Sequence, residues 1–157
     1  MIEINPKNSF FLEEMLYEAI YIPQNQKPLP KEIVFNPELY KYIQNWGRDG
    51  DLGFITLQYK EMVGAIWVRF FSQKNKGYGY ISEEIPELCM AVKKEYQSQG
   101  IGSKLMKKMI EELKNRKVEG ISISVDKRNR AFNFYKRMGF YIVSQNKDDY
   151  LMKIDLI

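Results

Sequence analysis

One run of the chain constrains the fold more than any other. Residues 87–92, Glu-Leu-Cys-Met-Ala-Val, read as a short apolar strand. A polar turn follows, Gln97-Ser98-Gln99-Gly100-Ile101-Gly102-Ser103, and opens directly into a helix marked by Ile101, Leu105, Met106, Met109, Ile110 and Leu113. Lys114, Arg116 and Lys117 close that helix with the cations its C-terminal dipole favours. Ile121, Ile123 and Val125 then alternate with polar residues, the pattern of a half-buried strand. Strand, helix and strand in that order predict a crossover unit, and so an α/β domain.

The flanking sequence adds elements of a different order. Ile2 and Ile4 suggest a weak strand, and Phe11, Met15, Leu16, Ala19 and Ile20 a helix over 10–22 capped by Asn8 or Ser9. Pro37 stands at a plausible first helical position, with Leu39, Tyr40, Ile43 and Trp46 following at helical spacing. After a turn at 47–51, strands at 54–57 and 63–71 read as a hairpin around Lys60-Glu61. Residues 23–30 and 74–79 are loops. A short helix over 129–138 stops at Gly139, and strands at 140–143 and 150–154 end the chain. The expected architecture is α/β (α+β): a mixed, mostly antiparallel sheet of about six or seven strands flanked by about four helices. A length of 157 residues predicts a single domain over 1–157.

Composition removes whole classes of chemistry. There is no His and only one Cys, Cys89. His/Cys zinc sites, His-based triads and an internal disulfide are therefore excluded, and no metal is expected. Acid–base chemistry falls to Tyr, Asp/Glu, Lys or water. No apolar run approaches the ~18 residues of a membrane span and no N-terminal signal is visible, so a cytoplasmic protein with no membrane partner is expected. The net charge of +4 is uneven: residues 93–137 hold 13 basic and 5 acidic side chains, net +8. Such a segment is either solvated surface or the seat of an anionic partner: nucleic acid, an acidic membrane or a polyphosphate cofactor.

The turn at 97–103 bears on that choice. Free backbone N–H groups at a helix N-terminus suit phosphate oxygens, and Gly100 and Gly102 permit close approach. Neither the P-loop nor the dinucleotide fingerprint matches, because Gly102 precedes Ser-Lys, position 97 is Gln, and Leu105 replaces the third glycine. By itself the turn is equally readable as tight packing. The second stretch is Asn129-Arg-Ala-Phe-Asn-Phe134-Tyr135-Lys-Arg-Met-Gly139-Phe140. Tyr135 is either a proton donor or a core aromatic beside Phe134.

Gln-x-x-Gly-x-Gly at a strand-to-helix turn, followed some thirty residues on by Asn…Ala…Phe-Tyr-Lys-x-x-Gly-Phe, resembles the GNAT family of acetyl-CoA-dependent N-acetyltransferases. The specific match covers 87–140, and the order of upstream elements fits the same acyl-CoA N-acyltransferase fold. Trp46 to Asp51, Ala65 to Arg69 and Pro86-Glu87-Leu88 are similar to a bacterial subgroup of that family. The resemblance implies that coenzyme A lies between strand 87–92 and strand 121–125. Met90, Ala91 and Val92 would line its acyl arm, and Gln97, Ser98, Gln99, Gly100, Ile101, Gly102 and Ser103 would cradle its pyrophosphate. Asn129 would contact the pantetheine or nucleotide side, and Tyr135 would protonate the departing thiolate. Four positions depart from the family pattern: Gln97 and Ser98 replace Arg-Gly, Lys94 stands where Pro is frequent, and Asn129 precedes Tyr135 by one residue fewer than usual.

The family reaction is direct attack of a neutral amine on the thioester, which needs a base. With His absent, Glu87 is the candidate, as base or as holder of the substrate ammonium; the alternative is an exposed carboxylate at a strand end. Trp67, Arg69 and Tyr80 are candidate substrate contacts. Arg69 would bind a substrate carboxylate or pair with Glu87 or Asp51. The acceptor expected is a small-molecule primary amine. Alternatives are a peptide or N-terminal amine, a non-catalytic acyl-CoA sensor, and a nucleic-acid-binding module. A homodimer through a sheet edge is a further expectation from the family.

Overall fold

The computed structural model describes residues 1–157. Its strands are β1 (Ile2–Glu3), β2 (Leu52–Gln58), β3 (Glu61–Arg69), β4 (Glu87–Val92), β5 (Gly120–Asp126), β6 (Tyr141–Gln145) and β7 (Asp149–Asp155). The α-helices are α1 (Phe11–Ala19), α2 (Pro37–Tyr40), α3 (Ile101–Asn115) and α4 (Ala131–Met138), with short 3-10 helices at Lys31–Phe35 and Lys94–Tyr96. All seven strands form one sheet in the order β1-β2-β3-β4-β5-β7-β6. Every neighbouring pair is antiparallel except β4 and β5, which the α3 crossover joins in parallel.

Alternation along the strands divides the apolar residues between two cores. Ile66 and Val68 of β3 join Leu88, Leu105, Met106, Met109, Ile121 and Tyr135 under α3 and α4. Ala65 and Trp67 join Phe11, Leu12, Met15, Leu16, Tyr42 and Ile55 under α1 and the segment after α2. One sheet thus separates two layers, each buried against its own helices.

Element boundaries differ from sequence expectation for local reasons. The first helix ends at Ala19 rather than Ile22, because Ile20 is already extended at ψ 121°. Neither Asn8 nor Ser9 caps it; Asn8 Oδ1 accepts instead from the Asn5 amide at 2.8 Å. The second keeps Pro37 as its first residue and Asn36 as its cap, with Asn36 Oδ1 accepting from Glu38 N–H at 3.0 Å. It lasts four residues, after which turns carry the chain to Asn45 at φ 54°. Tyr59 and Lys60, both left-handed, form the β2–β3 turn, so Glu61 belongs to the strand and pairs with Gln58. α4 starts at Ala131 because Asn129 Oδ1 accepts from the Ala131 amide at 2.9 Å. No helix is long and apolar enough to cross a membrane.

Candidate active site

β4 and β5 touch at one register point only, Glu87 opposite Ser122, where the Ser122 amide donates to Pro86 O at 3.0 Å. Beyond it they diverge. The Lys93 amide donates to Val63 O on β3, so backbone groups two and four residues earlier turn the same way. Ala91 O lies against Gly64 of β3 accordingly. Met90 and Val92 therefore turn their backbone groups into the gap that β5 leaves open. Ala91 does not: its backbone goes to β3 and its side chain is buried in the α1-side core. Of the three residues expected to line an acyl arm, Met90 and Val92 turn their backbone to the gap, with the Val92 carbonyl already taken by Gln97 Nε2.

A cavity of about 330 Å³ opens at this divergence. Leu16, Ile20 and Tyr21 of the α1 side line it, together with Glu87, Cys89, Tyr135 and Asn129. Glu87 is 3% exposed, so it is not the solvated strand-end carboxylate that its sequence position also allowed. Its Oε1 accepts from Tyr42 O–H at 2.8 Å and from the Gly79 amide at 2.7 Å. Its Oε2 has no partner. Burial pushes the carboxyl above its ordinary range, and these two hydrogen bonds pull it partly back.

Tyr135 reaches the cavity from the opposite, α3/α4 side of the sheet. It is 5% exposed, and its ring packs edge-on against Phe134 and Phe140, with centroids 5.4 and 5.5 Å away. Tyr135 is therefore a core aromatic that also lines the cavity. Burial raises its phenol pKa, so the proton stays on through the neutral range. Cys89 also lines the cavity; burial and the charge of Glu87 raise its thiol. A thiol held in that form is a poor nucleophile, which favours direct transfer over an acyl-cysteine relay.

The turn before α3 is the candidate anion site. Ser98 and Gly100 adopt left-handed φ of 61° and 83°, which curls the chain so that successive amides face outward. None of the amides of Ser98, Gln99, Gly100, Ile101, Gly102 and Ser103 donates to a protein acceptor; the Lys104 amide, bonded to Gly100 O at 3.1 Å, is the first that does. A Cβ on Gly100 would meet nothing within 4 Å, whereas one on Gly102 would touch Met90 and Phe134. Gln97 turns back instead, donating from Nε2 to Val92 O at 2.9 Å and fixing the end of β4. Lys94 and Lys104 flank the turn without carboxylate partners, while Lys93 is engaged by Glu14 and Glu61.

The candidate substrate contacts fall elsewhere. Arg69 is fully buried and forms a two-pronged pair with Asp51, Nε–Oδ1 at 3.0 Å and Nη2–Oδ2 at 2.7 Å. Its Nη1 donates to the carbonyls of Lys41 and Gln44. Four of its five N–H donors are used and the side chain is fully buried, so Arg69 is a structural residue. Trp67 is also fully buried, donating Nε1 to Tyr42 O at 3.1 Å. Tyr80 lines a separate polar groove with Lys76, Glu83 and Glu84. Asn129 does line the cavity, but its Oδ1 is committed to capping α4.

Sequence reasoning missed Tyr42, Gly77 and Gly79. They meet Glu87 only through the fold, and the single hint was the Gly-Tyr-Gly spacing at 77–79.

Residues 16–140 match the model of the acetyltransferase (GNAT) family. Over 109 residues, 68% of this chain and 67% of the relative, the sequence is 28% identical to N-alpha-acetyltransferase 30 of Schizosaccharomyces pombe. Among solved structures, the ribosomal-protein-S18-alanine N-acetyltransferase of Escherichia coli superposes with a TM-score of 0.68 at 17% identity, covering 99% of this chain and 92% of that one. A GNAT acetyltransferase of Staphylococcus aureus gives 0.69 at 20% identity, covering 99% and 98%. PaiA N-acetyltransferase of Thermoplasma acidophilum, solved with coenzyme A, gives 0.65 at 18%, covering 99% of both chains. At these identities the structural likeness speaks for the fold.

Proposed function

This chain belongs to the acetyltransferase (GNAT) family, whose members are acyl-CoA-dependent acyltransferases, and from that premise we propose that it moves an acetyl group from acetyl-CoA to the primary amine of a small molecule. One observation carries the reading: a cavity through the splayed β4–β5 gap has a buried carboxylate on one face of the sheet and a buried phenol on the other. The donor fits the residues present. The unpaired amides of 98–103, with Lys94 and Lys104, suit the pyrophosphate, and the backbone of Met90 with the Val92 amide suits the acyl arm. When bound, acetyl-CoA supplies a thioester carbonyl open to attack by a neutral amine.

The chain's own residues handle the protons. Glu87, directly or through water, takes a proton from the entering ammonium and leaves the amine able to attack. Tyr135 holds its proton until sulfur departs, then gives it up. The apolar walls, Leu16, Ile20 and Leu39 among them, keep water from competing. A cavity of this size suits a compact acceptor. A peptide N-terminus is the second reading, favoured by the name of the yeast relative.

An acceptor screen with amino acids, polyamines, aminoglycosides and short peptides, read by thiol release, separates the two. With the acceptor found, Glu87→Gln and Tyr135→Phe should each lower kcat by about 100-fold with little change in acetyl-CoA affinity. Wild-type turnover in either variant rejects that residue's role. Acetyl-CoA binding without transfer to any acceptor would point to a sensor, and stabilisation by an oligonucleotide alone to a nucleic-acid module.

A further inference from the structure

Tyr42 lies just beyond α2, and its hydroxyl sits between two partners. It accepts from the Tyr78 amide at 2.7 Å and faces Glu87 Oε1 at 2.8 Å. A hydroxyl that accepts an amide proton on one side turns its own proton to the other, so Tyr42 is the donor to Glu87. Burial and the charge of Glu87 both hold that proton in place. The ring is fixed edge-on against Phe71 with centroids 4.9 Å apart, and Tyr42 O is fixed by Trp67 Nε1. Glycine forms the other wall. A Cβ at position 77 would overlap both carboxylate oxygens and lie 2.5 Å from the Tyr42 hydroxyl. One at position 79 would sit 3.1 Å from Oε1 and 3.1 Å from the Ser124 amide.

From these contacts we infer that Tyr42 is a positioning residue for the transfer reaction: with Gly77–Gly79 it clamps Glu87 through Oε1 and holds the carboxylate at the cavity wall, where it takes the acceptor's proton. The inference rests on the reading of Glu87 as the base. In the step concerned, the ammonium N–H bond breaks as a Glu87 carboxyl O–H bond forms, and Tyr42 keeps its own proton throughout.

Neighbouring charges do not supply the same effect. Arg69, across from Glu87 on β3, is already paired with Asp51. Lys41 is bonded to Glu38 and to Lys76 O and pulls on Glu87 more weakly than the hydrogen bonds do. Cys89 on the same strand is a neutral thiol, and Ser122 on β5 is uncharged. The Gly77 amide adds a weaker pull without completing a hydrogen bond to Oε2. The Tyr42 hydroxyl and the Gly79 amide are therefore the main groups opposing the cost of an ionised, buried carboxylate.

Tyr42→Phe tests this by keeping the ring and removing one oxygen. In protein labelled with 13C at glutamate carboxyl carbons, the Glu87 signal is the one absent from Glu87→Gln, and its shift against pH gives the protonation midpoint. Tyr42→Phe should raise that midpoint by about one pH unit or more, the value of one hydrogen bond to a charged group. With the acceptor found by the screen, the acidic limb of kcat/KM should move the same way. A midpoint that stays at the wild-type pH overturns the role of Tyr42, whatever happens to stability. Glu87→Gln with wild-type turnover overturns the base reading, and with it the catalytic purpose assigned to Tyr42. If Tyr42→Phe fails to fold, biosynthetic replacement of tyrosine by 3-fluorotyrosine gives a stronger donor at the same place. The Glu87 midpoint should then fall, and an unmoved midpoint overturns the inference equally.

Discussion

Burial gives Glu87 a higher affinity for protons than a free glutamate has, because Oε2 has no donor to stabilise its charge. A carboxyl whose folded pKa lies above its unfolded value of about 4.3 favours the fold most when protonated. Its contribution is complete below the unfolded value and is lost as pH rises through the folded one. Glu87→Gln keeps an acceptor for Tyr42 and Gly79 and carries no charge. The thermal midpoint of the variant should therefore exceed that of the parent at pH 8, and the gap should close as pH falls towards 4. Paired melting curves across that range check it; a gap that widens on acidification contradicts it. The residue placed to do the chemistry thus costs the fold stability at neutral pH, a common cost at reactive sites.

Among the elements, the hairpin of β2 and β3 depends on a buried charge pair. Asp51 accepts from both Arg69 prongs and also from the amides of Gly47 and Arg48, at 3.0 and 2.9 Å. The pair ties the turn before β2 to the end of β3, and both partners are almost wholly buried. Removing one leaves the other charged, buried and unpaired, which costs about 3–5 kcal/mol. Asp51→Ala should show that loss in urea unfolding. A large fall in turnover at unchanged stability would instead return Arg69 to the substrate site. The same stretch shows why periodicity misled at 37–46. Leu39, Tyr40, Ile43 and Trp46 are spaced as on a helix, yet the helix stops at Tyr40. The turns beyond it still satisfy that spacing locally, and they deliver Tyr42 to Glu87 and the carbonyls of Lys41 and Gln44 to Arg69.

Across the whole molecule, the excess charge of 93–137 belongs partly to structure and partly to the site. Lys93, Lys108, Arg116 and Arg128 are paired with carboxylates, while Lys94 and Lys104 stand unpaired beside the open amides. Coenzyme A should therefore raise the thermal midpoint, by the equivalent of about 2.7 kcal/mol at a hundred times its Kd. Its affinity should weaken between 50 and 500 mM salt, because exposed charges are screened over a few ångströms at high ionic strength. Lys104→Gln should weaken binding and flatten that salt dependence, as isothermal titration at several salt concentrations would register. Salt dependence identical in Lys104→Gln would remove Lys104 from the phosphate site.

The crossover unit was legible because its signals are local. An apolar strand, a turn with Gly100 in a left-handed bend, and an amphipathic helix each announce themselves within a few residues. From them the sequence alone determined the parallel β4–β5 pair and the unpaired amides of 98–103, and the absence of His left acid–base chemistry to Tyr, carboxylate, Lys or water. It also supplied two side chains, Glu87 and Tyr135, without stating which way either faces. The tertiary structure decided that. Strand register put Trp67 and Arg69 in the interior instead of at the acceptor site, and the divergence of β4 from β5 brought Glu87 and Tyr135 to one cavity from opposite faces. Tyr42, 45 residues before Glu87 in the chain, and the glycine pair at 77 and 79 meet the carboxylate only once the sheet has formed. Hydrogen bonds between distant segments leave no periodicity in a sequence. They depend on where the packing of two apolar layers brings the backbone, and that is a property of the assembled fold.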